Sequence, residues 1–388
     1  MKSGVLVSLV ALAVVATQQS QSHAQQRYVL PQMKAHILPV GYSSLNPEAN
    51  NLLLAAFKQQ LSDDASGYAE ADCTGSQCES CSSCCAAKLC AWPKWQFFAE
   101  ALYMRARDAE VVYGVPFNGP VTSPPDPPIQ VGRTGVVDFD YEPAFRVGYS
   151  GAVGDCATVG VTYSYFQAAT ADDIHTQAPY VIRSMVAHPS TLAAASDGLD
   201  AVAQFSMDYD LIDADYRRVF SCSPLHTMNY LVGARYANLN QDFSSQYAVN
   251  GLETVTTNIN FEGGGIRLGL EGERYARCSG WMIYGNAAAS FVAGEFRGQY
   301  AQGQAFDASV VDTSWKAGRI VSMLDLEVGV GWTSCSGRLR MTAGYFVSGW
   351  FNTVKTDEFI QAVKTNNFID LGDRLTFDGL SVRGELRF

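Results

Sequence analysis

Residues 324–350 read LDLEVGVGWTSCSGRLRMTAGYFVSGW. In the first half Leu324, Leu326, Val328, Val330 and Trp332 alternate with Asp325, Glu327, Gly329 and Gly331. After Ser334-Cys335-Ser336-Gly337 the pattern resumes, with Leu339, Met341, Ala343, Tyr345 and Val347 against Arg340, Thr342, Gly344 and Ser348. Successive side chains of a strand point to opposite faces, so a period of two over this length means one oily and one polar face. Two such strands joined by a short Gly-containing turn make an antiparallel hairpin.

The alternation extends along the chain in both directions. Phe139, Tyr141, Pro143, Phe145, Val147 and Tyr149 oppose Asp140, Glu142, Ala144, Arg146 and Gly148. Residues 157–165 follow suit, then Phe205, Met207, Tyr209 and Leu211 against Ser206, Asp208 and Asp210. Met228 to Tyr236 alternate around Asn229, Gly233 and Arg235, and Ile266, Leu268 and Leu270 around Arg267, Gly269 and Glu271. The last segment sets Leu380, Val382, Gly384, Leu386 and Phe388 against Ser381, Arg383, Glu385 and Arg387. With the less clearly faced segments 95–106 and 281–293, the expectation is ten strands.

Connections alternate between long (107–135, 168–202, 240–257, 294–319, 353–373) and short (150–155, 222–225, 276–280, 333–337). This is the pattern of hairpins spanning a membrane, with short periplasmic turns and long extracellular loops. A soluble β-sandwich or lipocalin-like barrel would also alternate. Three features favour the membrane: a Gly-rich polar face carrying both signs of charge, strands long enough to cross tilted, and Tyr149, Trp281, Trp332 and Phe388 near the short-turn ends. A Lys or Arg facing mid-bilayer lipid costs about 2–4 kcal/mol, so the charged face must look inward. The predicted fold is all-β: an antiparallel up-and-down transmembrane β-barrel over residues 93–388.

The 388 residues carry 27 Lys+Arg against 38 Asp+Glu, a formal net charge of -11. That balance excludes a nucleic-acid partner, which requires a basic surface. Lys2, the apolar stretch Val5–Ala16 and Ser22-His23-Ala24 read as a signal peptide over 1–24, too short for a membrane-spanning helix. Residues 25–92 read as an N-terminal extension. Asn46-Pro47-Glu48 opens a short helix there with Leu53, Ala56, Phe57 and Leu61 on one stripe, suited to plugging the barrel mouth or to a plain surface role.

Ten cysteines suit an oxidising compartment. Cys73, Cys78, Cys81, Cys84, Cys85 and Cys90 crowd the extension, while Cys156, Cys222, Cys278 and Cys335 fall one to each short turn. All ten are disulfide candidates, within the extension, from it to the rim, or between copies in an envelope lattice. A zinc site at Cys78, Cys81, Cys84 and Cys90 is the lesser alternative, because pair-loop-pair spacing is missing. No metal or other cofactor is expected.

The terminal stretch SVRGELRF, closing on Phe388, resembles the strand by which outer-membrane proteins are recognised by the barrel-assembly machinery. WQFFAEALYMRARDAEVVYG (95–114), VDFDYEPAFRVGYSGAVGD (137–155), FEGGGIRLGLEGERY (261–275) and the opening hairpin resemble the Legionella-type major outer membrane protein family, particularly its planctomycete-like branch. The resemblance spans Trp95 to Phe388. It implies a pore in the outer membrane, surrounded by lipid, passing ions or small solutes, with the extension in the periplasm and the protein alone or as a homo-oligomer.

The pore-lining candidates are the acids Asp140, Glu142, Asp208, Asp210, Glu271, Asp325, Glu327 and Glu385, and the bases Arg146, Arg235, Arg267, Arg340, Arg383 and Arg387. Eight against six makes any open path slightly cation-preferring. A narrow barrel can instead fill with its own side chains, leaving a structural envelope protein. No catalytic constellation is expected. Gly263-Gly264-Gly265 lies inside a strand pattern, where glycine permits close packing or a bulge, rather than at a phosphate loop. Asp172, Asp173 and His175 could activate water, as in omptin-type proteases, but a solvated polar loop is the plainer reading.

Overall fold

The computed structural model describes residues 93–388 except 121–127, 155, 193–196, 224, 250, 277–278, 305–306, 335 and 370. The signal segment, the helix near 46–61 and the six cysteines of the extension lie outside the described residues. In chain order the strands are β1 (Trp95–Arg107), β2 (Val111–Phe117), β3 (Gly135–Val137), β4 (Glu142–Ala152), β5 (Ala157–His175) and β6 (Val181–Ser184). There follow β7 (Asp200–Ser223), β8 (His226–Val249), β9 (Gly251–Tyr275), β10 (Trp281–Gln304), β11 (Asp307–Thr333) and β12 (Leu339–Thr353). Helix α1 (Thr356–Thr365) precedes β13 (Asp373–Arg387).

Ten of these strands close a barrel in the order β1-β13-β12-β11-β10-β9-β8-β7-β5-β4, every neighbour antiparallel. The seam is zipped at its short-turn end by Trp95 N donating to the Phe388 carbonyl at 3.2 Å and Phe388 N to the Trp95 carbonyl at 2.9 Å. Closure removes the free edges that hydrocarbon cannot satisfy.

Around the short-turn half the outward positions are mostly apolar: Trp95, Phe97, Tyr149, Val161, Ile212, Phe220, Val232, Ile266, Trp281, Val330 and Leu386 are all exposed, with Arg218 and Arg274 outward near the short turns. This is the lipid belt, with Trp95, Tyr149 and Trp281 at one edge. Tyr163, Ile212 and Tyr236, paired across β5, β7 and β8, mark the other.

Above that row the sense of the alternation inverts. On β7, Ile212 and Ala214 face out while Asp213 and Asp215 are buried inside; from Leu211 upward, Phe205, Met207, Tyr209 and Leu211 are buried and Asp208 and Asp210 face water. The same switch follows Tyr236 on β8, where Leu239, Phe243 and Tyr247 become the buried set. A sheet standing clear of the bilayer meets water on its outer face, so its apolar residues turn inward to a packed core. The sequence expectation that Phe205, Met207, Tyr209 and Leu211 face lipid is therefore reversed, and Phe139 likewise packs inside, 4.7 Å from the Phe205 ring.

The same inversion explains a second departure. The connections expected at 240–257 and 294–319 are mostly strand, and that at 168–202 is partly strand: β8 and β9 meet at Val249 and Gly251, and β10 and β11 at Gln304 and Asp307. A strand of 24 residues is about 80 Å long at roughly 3.3 Å per residue, far more than a bilayer needs even when tilted. On β9 the changeover falls at Gly263-Gly264-Gly265. A Cβ at Gly265 would run into the Phe291 carbonyl and one at Gly263 would lie 2.9 Å from Gly294 Cα, so glycine is required for β9 and β10 to approach.

The upper barrel is filled. Phe166, Tyr209, Trp350 and Phe377 form a ring cluster with centroids 5.0–5.6 Å apart. Burial of each such side chain contributes about 1.5–3 kcal/mol. A small sheet, β3-β2-β6, and α1 complete the packing. α1 buries Phe359, Ile360, Ala362 and Val363 and ends at Asn366 in the left-handed conformation (φ 52°). Phe359 fits because β10 carries Gly298 opposite: a Cβ there would sit 2.7 Å from its ring. The Tyr247 hydroxyl donates to the Tyr113 carbonyl at 2.6 Å, and Gln241 Nε2 to the Val354 carbonyl at 2.9 Å.

Two rim cysteines can be assigned. Cys222 is disulfide-bonded, whereas Cys156 is a free, exposed thiol, which corrects the expectation of a cross-link at that turn. Cys278 and Cys335 lie outside the described residues. Alkylation followed by peptide mass spectrometry should label Cys156 without reductant and Cys222 only after reduction; labelling of both at once contradicts the assignment.

Candidate functional site

At the height of the lipid belt the lumen is lined by charge. Arg235 of β8 reaches Asp213 of β7 through Nε at 2.6 Å and Nη2 at 2.8 Å, and Asp325 of β11 through Nη1 at 2.7 Å. Arg267 of β9 contacts the same two carboxylates at 3.1 and 3.0 Å. Two guanidiniums and two carboxylates thus close a square of alternating charge across the lumen. Asp325 also accepts from the Ser348 hydroxyl at 2.6 Å.

Beside the square, Arg146 of β4 donates to Glu100 of β1 at 3.0 Å, lies 3.9 Å from Glu327, and stands over the Phe346 ring at 5.2 Å. Glu327 accepts from Tyr284 at 2.7 Å and Ser381 at 3.0 Å. Nearer the short turns, Arg217 pairs with Asp215 at 3.2 Å and Glu271 at 3.0 Å, and Arg340 with Glu273 at 2.6 Å. Glu385 takes Arg383 at 3.2 Å and Arg387 at 2.5 Å, and Arg383 stacks 3.5 Å over Phe98. Alternation alone puts these groups together: each occupies the inward parity of a strand whose other parity meets lipid.

The space left is a cavity of about 80 Å³ bounded by Arg146, Asp213, Asp215, Arg235, Arg267 and Asp325. It suits water-sized guests only. Buried charge pairs cost several kcal/mol of desolvation per ion, which their attraction offsets only when each lone pair and proton is matched. The bidentate geometry of Arg235 on Asp213 meets that demand.

Ten predicted lumen residues join this network: Arg146, Arg235, Arg267, Glu271, Asp325, Glu327, Arg340, Arg383, Glu385 and Arg387. Glu142 begins β4 at the inward parity, above the network. Three assignments are corrected. Asp208 and Asp210 are on the outer wall, accepting from Asn240 at 2.9 Å and the Tyr163 hydroxyl at 2.5 Å. Asp140 is exposed ahead of β4. All three lie above the belt, where an outward carboxylate meets water.

Five network members were not foreseen: Glu100, Asp213, Asp215, Arg217 and Glu273. The signal for three of them was the apolar pair Leu211-Ile212, which shifts the parity of the oily face and turns Asp213, Asp215 and Arg217 inward.

Asp173 and His175 stand exposed at the far end of β5. His175 Nδ1 contacts Asp200 at 2.6 Å and Nε2 contacts Asp173 at 2.9 Å, and the Asp200 hydrogen bond, foremost, holds the imidazole above its usual pKa. Both ring nitrogens are engaged. Asp172 turns the other way, to Arg133 at 2.7 Å and the Tyr113 hydroxyl at 3.0 Å. The three residues are brought near one another but not onto one centre.

A closed ten-stranded barrel, apolar outside and ionised within, defines the class: a β-barrel protein of the outer membrane. Residues 89–385 match the family described as Legionella pneumophila major outer membrane protein precursor, and the chain belongs to that family. No curated protein matches the chain. Among solved structures it is similar to the outer-membrane protease OmpT of Escherichia coli, with 8% identity and a TM-score of 0.42 over 76% of this chain and 96% of that one. The translocator domain of the Neisseria meningitidis autotransporter NalP gives 11%, 0.33, 88% and 98%, and the P. putida toluene transporter TodX 9%, 0.32, 76% and 90%. These likenesses are too loose to bear on activity.

Truncating one member of the square leaves its partners charged and buried. Arg235→Ala should destabilise the barrel by about 3–5 kcal/mol, and the double variant D213N/R235Q should recover part of that loss. Urea unfolding in detergent, followed by tryptophan fluorescence, reads both; equal losses in the two variants contradict a coupled pair.

Proposed function

We propose that the protein is an outer-membrane pore for ions or very small solutes, shut in the conformation described. One observation carries this: eight carboxylates and seven guanidiniums in ion pairs line the lumen at bilayer depth, where a purely structural core would be apolar. Charged walls replace part of an ion's hydration shell, and the excess carboxylate gives a slight preference for cations. Conduction requires α1 and the β3-β2-β6 sheet to move from the upper lumen. No catalytic step enters this reading.

A second reading, a non-conducting structural barrel of the envelope, is favoured by the packed aromatic cluster that fills the upper half. The two differ in planar bilayers. The pore reading expects small discrete conductance steps whose amplitude or frequency rises when residues 354–371 are replaced by a short Gly-Ser linker. Silence in both proteins supports the structural barrel.

The N-terminal turn of α1 adds a pH dependence. Burial, then Asp373 and Asp357 nearby, push Glu358 up from 4.5 to about 7, while Lys355 opposes the shift. The docked helix therefore holds a proton between those values that a released helix gives up, so docking weakens as pH rises through that window. Channel opening should increase from pH 5 to 8 and lose most of that dependence in Glu358→Gln; an unchanged profile in this variant contradicts the assignment.

A further inference from the structure

Above the bilayer the wall is no longer a closed ring but a sheet with two margins. β12 pairs with β11 only as high as Phe351 against Ser322. There Asn352 takes the left-handed region (φ 64°) and the chain turns inward, burying Val354 and starting α1. β11 continues upward on its β10 partner alone, from Val321 to Asp307. At the other margin β5 outlasts β4, whose ladder ends at Ala144 against Phe166, and runs on to His175 beside β7.

The two margins differ. Arg133 covers that of β5: its Nη2 donates to the Asp173 carbonyl at 2.8 Å and to the Asp172 carboxylate at 2.7 Å, and the Tyr113 hydroxyl of β2 donates to Asp172 at 3.0 Å. On β11 the Ile320 carbonyl accepts from Asn352 Nδ2 at 2.9 Å. Above it, among the described residues, no group outside β10 hydrogen-bonds to the backbone of Val310 to Arg319. The register is unbroken from Val311 to Trp332, and the strand holds no Pro. Such an edge is a template for a further strand.

Side chains along the edge give it a chemistry. Asp312, Ser314, Lys316 and Gly318 are exposed outward, while Thr313, Trp315 and Ala317 turn to the inner face and are half-buried. The Trp315 ring lies 6.1 Å from that of Phe359 and 6.5 Å from that of Phe368, so the inner face beside the edge is aromatic. Asp312 has no ion-pair partner among the described residues, its β10 neighbour being Ala301. Lys316 reaches Glu295 only at 3.8 Å, and that carboxylate is already held by Arg297 at 2.8 Å.

We infer that the β11 margin accepts an extended segment of another polypeptide as an additional antiparallel strand. The segment carries an acidic residue four positions before a basic one, with apolar residues at the alternate positions between. The acid lies opposite Lys316, the base opposite Asp312, and the two apolar side chains turn inward beside Trp315. Ladder hydrogen bonds hold the guest, and its alternate side chains select it. A second copy meets the same charge demand, since β11 against β11 also sets Asp312 opposite Lys316. An antiparallel ladder would turn that copy's barrel upside down, however, so two copies in one membrane cannot form it. The inference is independent of whether the lumen conducts.

Full-length protein in detergent is titrated against the fluorescein-labelled peptide Thr-Glu-Val-Ser-Val-Lys-Thr, and binding is read by fluorescence polarisation. Exchanging the Glu and Lys of the peptide should weaken binding about fivefold or more, because both cross-strand charge pairs change sign. D312K/K316E should reverse that preference. A ladder also uses every second peptide nitrogen, so N-methylation of one alternate set should abolish binding while the other set is tolerated. Heat-modifiable gel mobility confirms that the variant is a folded barrel. An unreversed preference in D312K/K316E, or equal effects of the two methylation sets, overturns the inference. So does the absence of saturable binding, or a dimer in detergent that the peptide dissociates, which would show a second copy seated on the edge.

Discussion

Hydrocarbon offers no hydrogen bonds, and this constraint governs the architecture. Ten strands must pair on both sides, so the sheet closes, and the outward parity at bilayer depth must be apolar. The carboxylates and most of the guanidiniums at that depth are then forced into a narrow interior, while Arg218 and Arg274 face outward near the short turns. The lumen network follows from exclusion: Asp213, Arg235, Arg267 and Asp325 meet because no other direction is open to them. Above the membrane the constraint lapses, and the ordinary rule of soluble proteins takes over on the same strands. Asp208 then faces out and Met207 in, five residues before Asp213 and its opposite arrangement.

The two halves of the interior are held by different forces. The upper half is an aromatic core in which Phe166, Tyr209, Trp350 and Phe377 exclude water. The lower half holds charges that tolerate one another only as a set. A packed apolar core yields in proportion to the area lost, whereas a buried ion network fails abruptly when one member is removed. Helix α1 belongs to the first kind of surface, through Phe359, and makes no part of the charged square.

Much of this was legible in the chain. Strand number, closure and the belt followed from the alternation of residues such as Leu324 to Trp332, because lipid and lumen impose opposite demands on neighbours. Ten of the lumen charges were found for the same reason. Alternation, however, does not say which face is inside. Phe205 to Leu211 and Phe139 to Tyr149 look alike in sequence, yet the first segment, like Phe139 itself, stands above the bilayer. Only the adjacent apolar pair Leu211-Ile212 betrays the change. Glu100 was hidden because β1 has apolar residues at both parities: its upper inward positions, Leu102 and Met104, belong to the core. The docked helix and small sheet depend on long-range packing that no local pattern encodes.

The wall of the barrel is uneven. β7 to β11 run to 24–27 residues, while β1, β4, β12 and β13 have 11–15. Each tall strand is followed within one to five residues by its successor, so their ladders grow between neighbours in the chain, the arrangement that forms fastest. The low strands include both ends of the sheet, and the last join, β1 to β13, is among the shorter ladders of the circle. A chain entering the membrane can raise its high side first and leave a modest gap to be drawn shut by its two outermost ribbons.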